Sequence, residues 1–195
     1  MFLSEPTGPE AVAYLEKARG PGGYVMNLEH AWAWRPDVAE AFVAMRQQLT
    51  SNSALSAREI AVLVCASVST LRDRYCSLAW GRRLARLCSA GIAADVLRGL
   101  DNAELTQREI ALARWARQVA RDPNATTGAQ VDALRAAGLS DREIFEATVY
   151  VALRLAFSTV NDALGAQPDG ELVEAAPEAV REAIPCGRRP ADPTP

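Results

Sequence analysis

LSAREIAVLVCASVSTLRDRYCSLAWGRRLA, residues 55–85, decides the fold. Its opening hexapeptide, Leu-Ser/Thr-x-Arg-Glu-Ile, returns at Leu105–Ile110 and Leu139–Ile144, each time ahead of an apolar run. In every copy a hydroxyl residue (Ser56, Thr106, Ser140) precedes a glutamate (Glu59, Glu109, Glu143) by three positions. This is capping-box spacing. The hydroxyl oxygen accepts a backbone N–H of the first helical turn, and the glutamate carboxylate accepts the N–H of the cap residue. The three copies therefore mark three helix starts.

Working outward, Ile60, Leu63, Val64, Val68 and Leu71 keep a helical period from Ser56 onward. The helix continues, or restarts after a short break near Thr70, through Tyr75 to Leu87. Upstream, a short helix is expected from Glu10 to about Arg19, with a break over 20–23. A second is expected after Pro36, carrying Val38, Ala41, Phe42, Met45 and Leu49. Downstream lie a short helix over 92–99, one from Thr106 stopped at Asp122-Pro123, one over 130–137 closed by Gly138, and a long one from Ser140 to Leu164. No strand signal competes, so the chain reads as all-α. One domain over 1–195 is expected, with its core over about 24–165. The proline-rich tail, 166–195, is expected to be loose or to pack on a neighbour.

Composition narrows the function. The 195 residues carry a net charge of −3, which disfavours general nucleic-acid binding. No run approaches the roughly 18 apolar residues of a membrane span. The N-terminus has neither the basic nor the apolar region of a secretory signal. A cytoplasmic location is therefore expected. Cys65, Cys76, Cys88 and Cys186 form no CxxC pair and no metal-ligand spacing, and His30 is the single histidine. No metal and no cofactor are expected. His30, beside Trp32 and Trp34, reads as a structural histidine, and Glu59 as a cap.

The candidate site lies around Cys76. Asp73, Cys76 and Trp80 stand at i, i+3 and i+7 on the expected helix and share one face. Arg72, Arg74, Arg82 and Arg83 surround them, and arginines nearby favour a thiolate. Packing of Cys76 and Trp80 in the core is the plainer alternative. Arg154 interrupts the apolar run 149–157 with no acid beside it, so it is either a buried anchor for an anionic ligand or for Asp73, or a solvent-facing arginine.

From about Asn27 to Gly165 the chain resembles the alkylhydroperoxidase AhpD-like and carboxymuconolactone decarboxylase superfamily, in its peroxidase-related branch. The resemblance rests on MNLEHAWAWRPDVAEAF (26–42), the 55–85 stretch, LTQREIALARWARQVARDPNATT (105–127) and LRAAGLSDREIFEATVYVALRLAFSTVNDALG (134–165). It implies an AhpD-like helical bundle that assembles as a dimer, trimer or hexamer. Redox-active members carry Cys-x-x-Cys with a histidine four residues on and a glutamate one helix earlier. A thiolate attacks the peroxide, the second thiol resolves the sulfenate, and the other two groups relay protons. Here the second cysteine falls on Cys76, the first on Asp73, the histidine on Trp80 and the glutamate on Ala61. The redox motif is degenerate. Along a continuous helix, Cys65 and Cys88 lie roughly 16–18 Å from Cys76, too far to replace the missing thiol.

Three functions follow. The first is a cofactor-independent acid–base enzyme, of decarboxylase, lyase or isomerase type, acting on a small carboxylate or lactone. Asp73 would be its acid or base, with Cys76, Tyr75 and Trp80 lining the pocket and Arg154 anchoring a carboxylate. The second is a single-cysteine peroxidase or thiol sensor using Cys76. The third is a non-catalytic ligand-binding or assembly protein. Dithiol peroxidase activity is not expected in any of them.

Overall fold

The computed structural model describes residues 1–20 and 23–191. The expected break over 20–23 therefore falls partly outside the described residues. Eleven α-helices are present among them: α1 (Pro9–Ala18), α2 (Asn27–Trp32), α3 (Pro36–Ser51), α4 (Ala57–Thr70), α5 (Arg74–Leu87), α6 (Ala90–Arg98), α7 (Gln107–Arg121), α8 (Gly128–Ala136), α9 (Asp141–Ala163), α10 (Gly170–Ala175) and α11 (Glu178–Glu182). The described residues contain no strand.

The three hexapeptides open α4, α7 and α9, and each capping box is complete in both directions. Thr127 and Gln130 build a fourth ahead of α8. The hexapeptide does more than start helices. Arg108 of the second copy pairs with Glu59 of the first at 2.8 Å and Glu143 of the third at 2.7 Å. Arg58 of the first copy pairs with Glu109 of the second at 2.7 Å. Each capping glutamate thus ties its own helix start to another copy, and Leu55, Leu105 and Leu139 are buried beneath the network.

Helix α4 is apolar all round and buried from Glu59 to Val68, as a central helix must be. Helices α5, α6, α7 and α9 pack around it. The α4–α5 pair is not continuous. Helix α4 ends in a Schellman motif, with the N–H of Asp73 donating to the Val68 carbonyl at 3.0 Å and the N–H of Arg72 to that of Ser69 at 3.1 Å. Arg72 sits at φ 62°, in the left-handed region where glycine is usual. Asp73 then caps α5, so Cys76 lies in the first turn of a new helix. A continuous helix carrying Asp73, Cys76 and Trp80 is thereby corrected. The separation of Cys65 from Cys76, which assumed it, no longer follows, because α4 and α5 pack against each other. Cys88, at the far end of the unbroken α5, keeps its distance of roughly 18 Å from Cys76.

Two further expectations change. The stretch from 166 to 191 is not loose: Ala166, Leu172, Ala176, Val180, Ala183 and Ile184 are buried against the bundle. On α3 the expected apolar face is largely open in the protomer, with Met45 56% and Val38 42% exposed.

Candidate active site

The first turn of α5 meets the middle of α9 inside the bundle. Asp73 is 0%, Cys76 2% and Arg154 2% exposed. Asp73 Oδ1 accepts the Cys76 backbone N–H at 2.9 Å, the ordinary N-cap bond. Its Oδ2 is buried without a partner. Arg154 Nη2 lies 2.8 Å from Cys76 Sγ, and its Nε has no partner. Among the described residues no carboxylate lies within 4.0 Å of this guanidinium. Its faces are covered instead by aromatic rings, Phe157 at 4.8 Å and Trp80 at 5.6 Å.

The structure therefore brings Asp73, Cys76, Trp80 and Arg154 together. Asp73 and Arg154 do not pair with each other but meet through Cys76. Trp80 also packs edge-on against Tyr150 and carries Arg83 over its ring at 4.8 Å. Tyr75 belongs elsewhere. One residue before Cys76 on α5, it points about 100° away around the helix, and its hydroxyl donates to the Asp169 carboxylate. Asp169 also accepts the Asn27 backbone N–H at 2.8 Å. Tyr75 is thus a tie between α5, α2 and the C-terminal segment. His30 pairs with Glu5, and Ala61 is fully buried.

Two residues join the site that sequence reading missed. Ser158 and Asn161 follow Arg154 at i+4 and i+7 on α9 and are fully buried. Ser158 Oγ makes no well-aligned hydrogen bond. Asn161 Oδ1 accepts Trp32 Nε1–H at 2.9 Å, while its Nδ2 is unpartnered. The signal was present: Ala147, Val151, Arg154, Ser158 and Asn161 form one stripe, and its polar end had to be as buried as its apolar end.

Electrostatics set the resting state. Burial pushes the Cys76 thiol far up, and the Asp73 carboxylate adds to this. The Arg154 charge and the Ser158 hydroxyl draw it back down without overcoming the burial. Asp162, one residue beyond Asn161, is raised to about 6 by burial and then by Asp73, against the opposing charge of Arg188. Arg188 donates to the Asp162 backbone carbonyl at 2.9 Å. Next to it, a Cβ on Gly187 would stand 2.7 Å from the Arg72 carbonyl oxygen and 2.6 Å from Arg74 Cβ. The C-terminal segment therefore lies directly on the α4–α5 turn. All four cysteines are free. Among the described residues, no group of three or more His, Cys, Asp or Glu side chains is placed to hold a metal ion.

No protein-family model and no curated protein matches the sequence. Solved structures do match. An uncharacterized peroxidase-related protein from Silicibacter sp. TM1040 superposes with a TM-score of 0.75 at 23% identity, covering 88% of this chain and 93% of its own. An uncharacterized peroxidase-related protein with an alkylhydroperoxidase AhpD core, from Ralstonia eutropha JMP134, gives 0.73 at 22% identity over 86% and 93%. The debrominase Bmp8 gives 0.68 at 15% identity over 90% of each chain. The chain thus has the AhpD-like helical fold.

Proposed function

We propose that this protein is a single-cysteine thiol enzyme in which Cys76 reduces a small hydroperoxide. One observation carries the reading: a buried guanidinium whose nearest acidic partner is a thiol sulfur. A buried arginine needs an anion. A Cys76 thiolate, and the sulfenate formed from it, supplies that charge on a hydrogen bond already in place.

The residues then take definite roles. Asp73 Oδ2, unpartnered beside the thiol, accepts its proton. The thiolate attacks one peroxide oxygen, the O–O bond breaks, and the alcohol or water leaves after taking up a proton. The sulfenate stays paired with Arg154. A small external thiol condenses with the sulfenic acid, releasing water and leaving a mixed disulfide on Cys76. A second thiol cleaves that disulfide and restores Cys76. Trp80 fills the space beside the sulfur and restricts the site to small oxidants.

The acid–base reading rests on the same guanidinium. Arg154 would bind a substrate carboxylate, and Asp73 would move a proton on a small carboxylate or lactone. It gains support from the unpartnered Asp73 Oδ2, but the sulfur occupies the position that the carboxylate would need.

We also propose a homo-oligomer in the cytoplasm. Free thiols suit a reducing compartment. Val38, Val43 and Met45 on α3 and Phe145 on α9 leave apolar surface for a second copy to cover. Among the described residues, no helix is long and apolar enough to cross a membrane.

The deciding experiment is intact mass after stoichiometric hydrogen peroxide, with a sulfenate trap and a Cys76→Ala control. Rapid trapping that depends on Cys76 supports the thiol enzyme. No trapping, with Cys76 also inert to a small alkylating agent, would make it a packing residue. The protein would then be screened against small carboxylates and lactones.

A further inference from the structure

Away from Arg154, a second set of arginines lacks carboxylate partners. Two clefts of about 340 and 600 Å³ run together across the ends of α4, α6 and α7, sharing Ser69, Leu97 and Arg98 as walls. Arg72 and Arg98 line the first, and Arg98, Arg117 and Arg121 the second. Among the described residues, none of the four has a carboxylate within 4.0 Å. Glu182 is the one acid among the lining residues.

Three observations separate this cleft from a solvated basic surface. Ser77 lines the first cleft with 1% exposure, and its Oγ has no partner. A buried hydroxyl without a partner is destabilising, and a ligand oxygen would offset that. Arg72 holds a left-handed backbone that is unfavourable for a non-glycine residue. That conformation sets Arg72 at the mouth of the same cleft. Arg117 is half-buried, its Nη2 donating to the Val96 carbonyl at 2.7 Å. Burial pushes it down, Asp101 opposes this, and Arg114 and Arg121 add to it. Crowded like charges of this kind are relieved by an anion.

Helix C-termini attract cations, which accounts in part for Arg98 and Arg121 in the last turns of α6 and α7. Each helix end carries only about half a negative charge, however, so four guanidinium groups dominate the cleft. Their planar forks match phosphate oxygens, and the two adjoining open lobes give room for more than one phosphate group.

We propose that this cleft binds a small molecule bearing a phosphate or pyrophosphate group, with Arg98 shared between the lobes and Ser77 donating to an oxygen at its floor. The proposal is independent of the chemistry assigned to Cys76.

The test is isothermal titration of the full chain with inorganic pyrophosphate and with a nucleoside diphosphate, at fixed ionic strength. Arg98→Glu/Arg121→Glu and Ser77→Ala are measured alongside. Both arginines are exposed, so the double variant should stay folded, with a melting temperature lowered by no more than a few degrees through the two reversed charges at helix C-termini. Saturable one-to-one binding is expected, weakened about tenfold or more by the double variant, since each charge-assisted contact contributes on the order of 1.5–3 kcal/mol. Ser77→Ala should weaken it less. Tighter binding of the nucleoside diphosphate than of pyrophosphate would add that the organic part is also read. Absence of saturable binding by both ligands would overturn the proposal. So would binding that the double variant leaves unchanged, or binding of a single-stranded oligonucleotide alone.

Discussion

Two polar regions of this bundle follow opposite rules. At the hexapeptide end, Glu59, Glu109 and Glu143 each accept their own cap N–H and each pair with an arginine from another copy. At the α5–α9 end, Asp73 Oδ2, Arg154 Nε, Ser158 Oγ and Asn161 Nδ2 are buried without partners. The first arrangement secures helix starts. The second leaves hydrogen-bonding capacity unspent beside a thiol. A stable fold accommodates such a region because the other one holds the helices in place.

The sharpest way to break the contrast is Arg108→Ala. It removes two ion pairs and strands two carboxylates, and should cost about 2–4 kcal/mol, read as a lower urea midpoint. Arg154→Met should do the reverse: stability held or raised, and Cys76 sulfenate formation at fixed pH slowed about a hundredfold as the thiol loses its one nearby cation. A destabilised Arg154→Met with unchanged Cys76 reactivity would erase the distinction.

The two regions also answer pH with opposite sign. Hydrogen bonds from Ser140 hold the Glu143 carboxyl down at about 2, and its pairing with Arg108 adds to this. Its stabilisation is present above the ordinary carboxylate range and is lost as pH falls towards 2. Asp162 is raised from 3.8 to about 6, so the folded state favours its protonated form. That contribution is complete below 3.8 and disappears as pH rises through 6. Asp162→Asn should therefore stabilise the protein at neutral pH by on the order of 1 kcal/mol, discounted for partial exposure. It should also flatten the stability profile between these values. The smallest expected effect is Ser158→Ala, slowing Cys76 oxidation about threefold by removing one weak stabiliser of the thiolate. Stopped-flow oxidation across pH would measure it.

The capped helix starts were legible because capping is local: a hydroxyl and a glutamate three residues apart need no tertiary partner. The glycine-closed end at Gly138 was legible for the same reason, and it sits at positive φ, whereas Gly99, read as part of its helix, proves to be the left-handed residue that ends it. The α4–α5 break was only half visible. An arginine occupies the left-handed position that usually announces itself as glycine, so a break near Thr70 stood only as an alternative to a continuing helix, and Asp73 was not read as the cap of a new one. Ser158 and Asn161 escaped because a serine and an asparagine on a helix are ordinary unless their face is known to be buried. The packed 166–191 segment was hidden by its prolines and small residues, which bury well once α5 and α6 supply a surface.

By itself the sequence determined the all-α class, the helix starts and the absence of a CxxC pair, because each depends on residues within a turn or two of one another. Only the tertiary structure decided that Arg154 meets Cys76, 78 residues away, with no carboxylate between them. It likewise decided that Tyr75 turns to Asp169 and that the hexapeptide copies lock together. Those outcomes depend on which helix faces meet, and periodicity says that a face is buried without saying what lies against it.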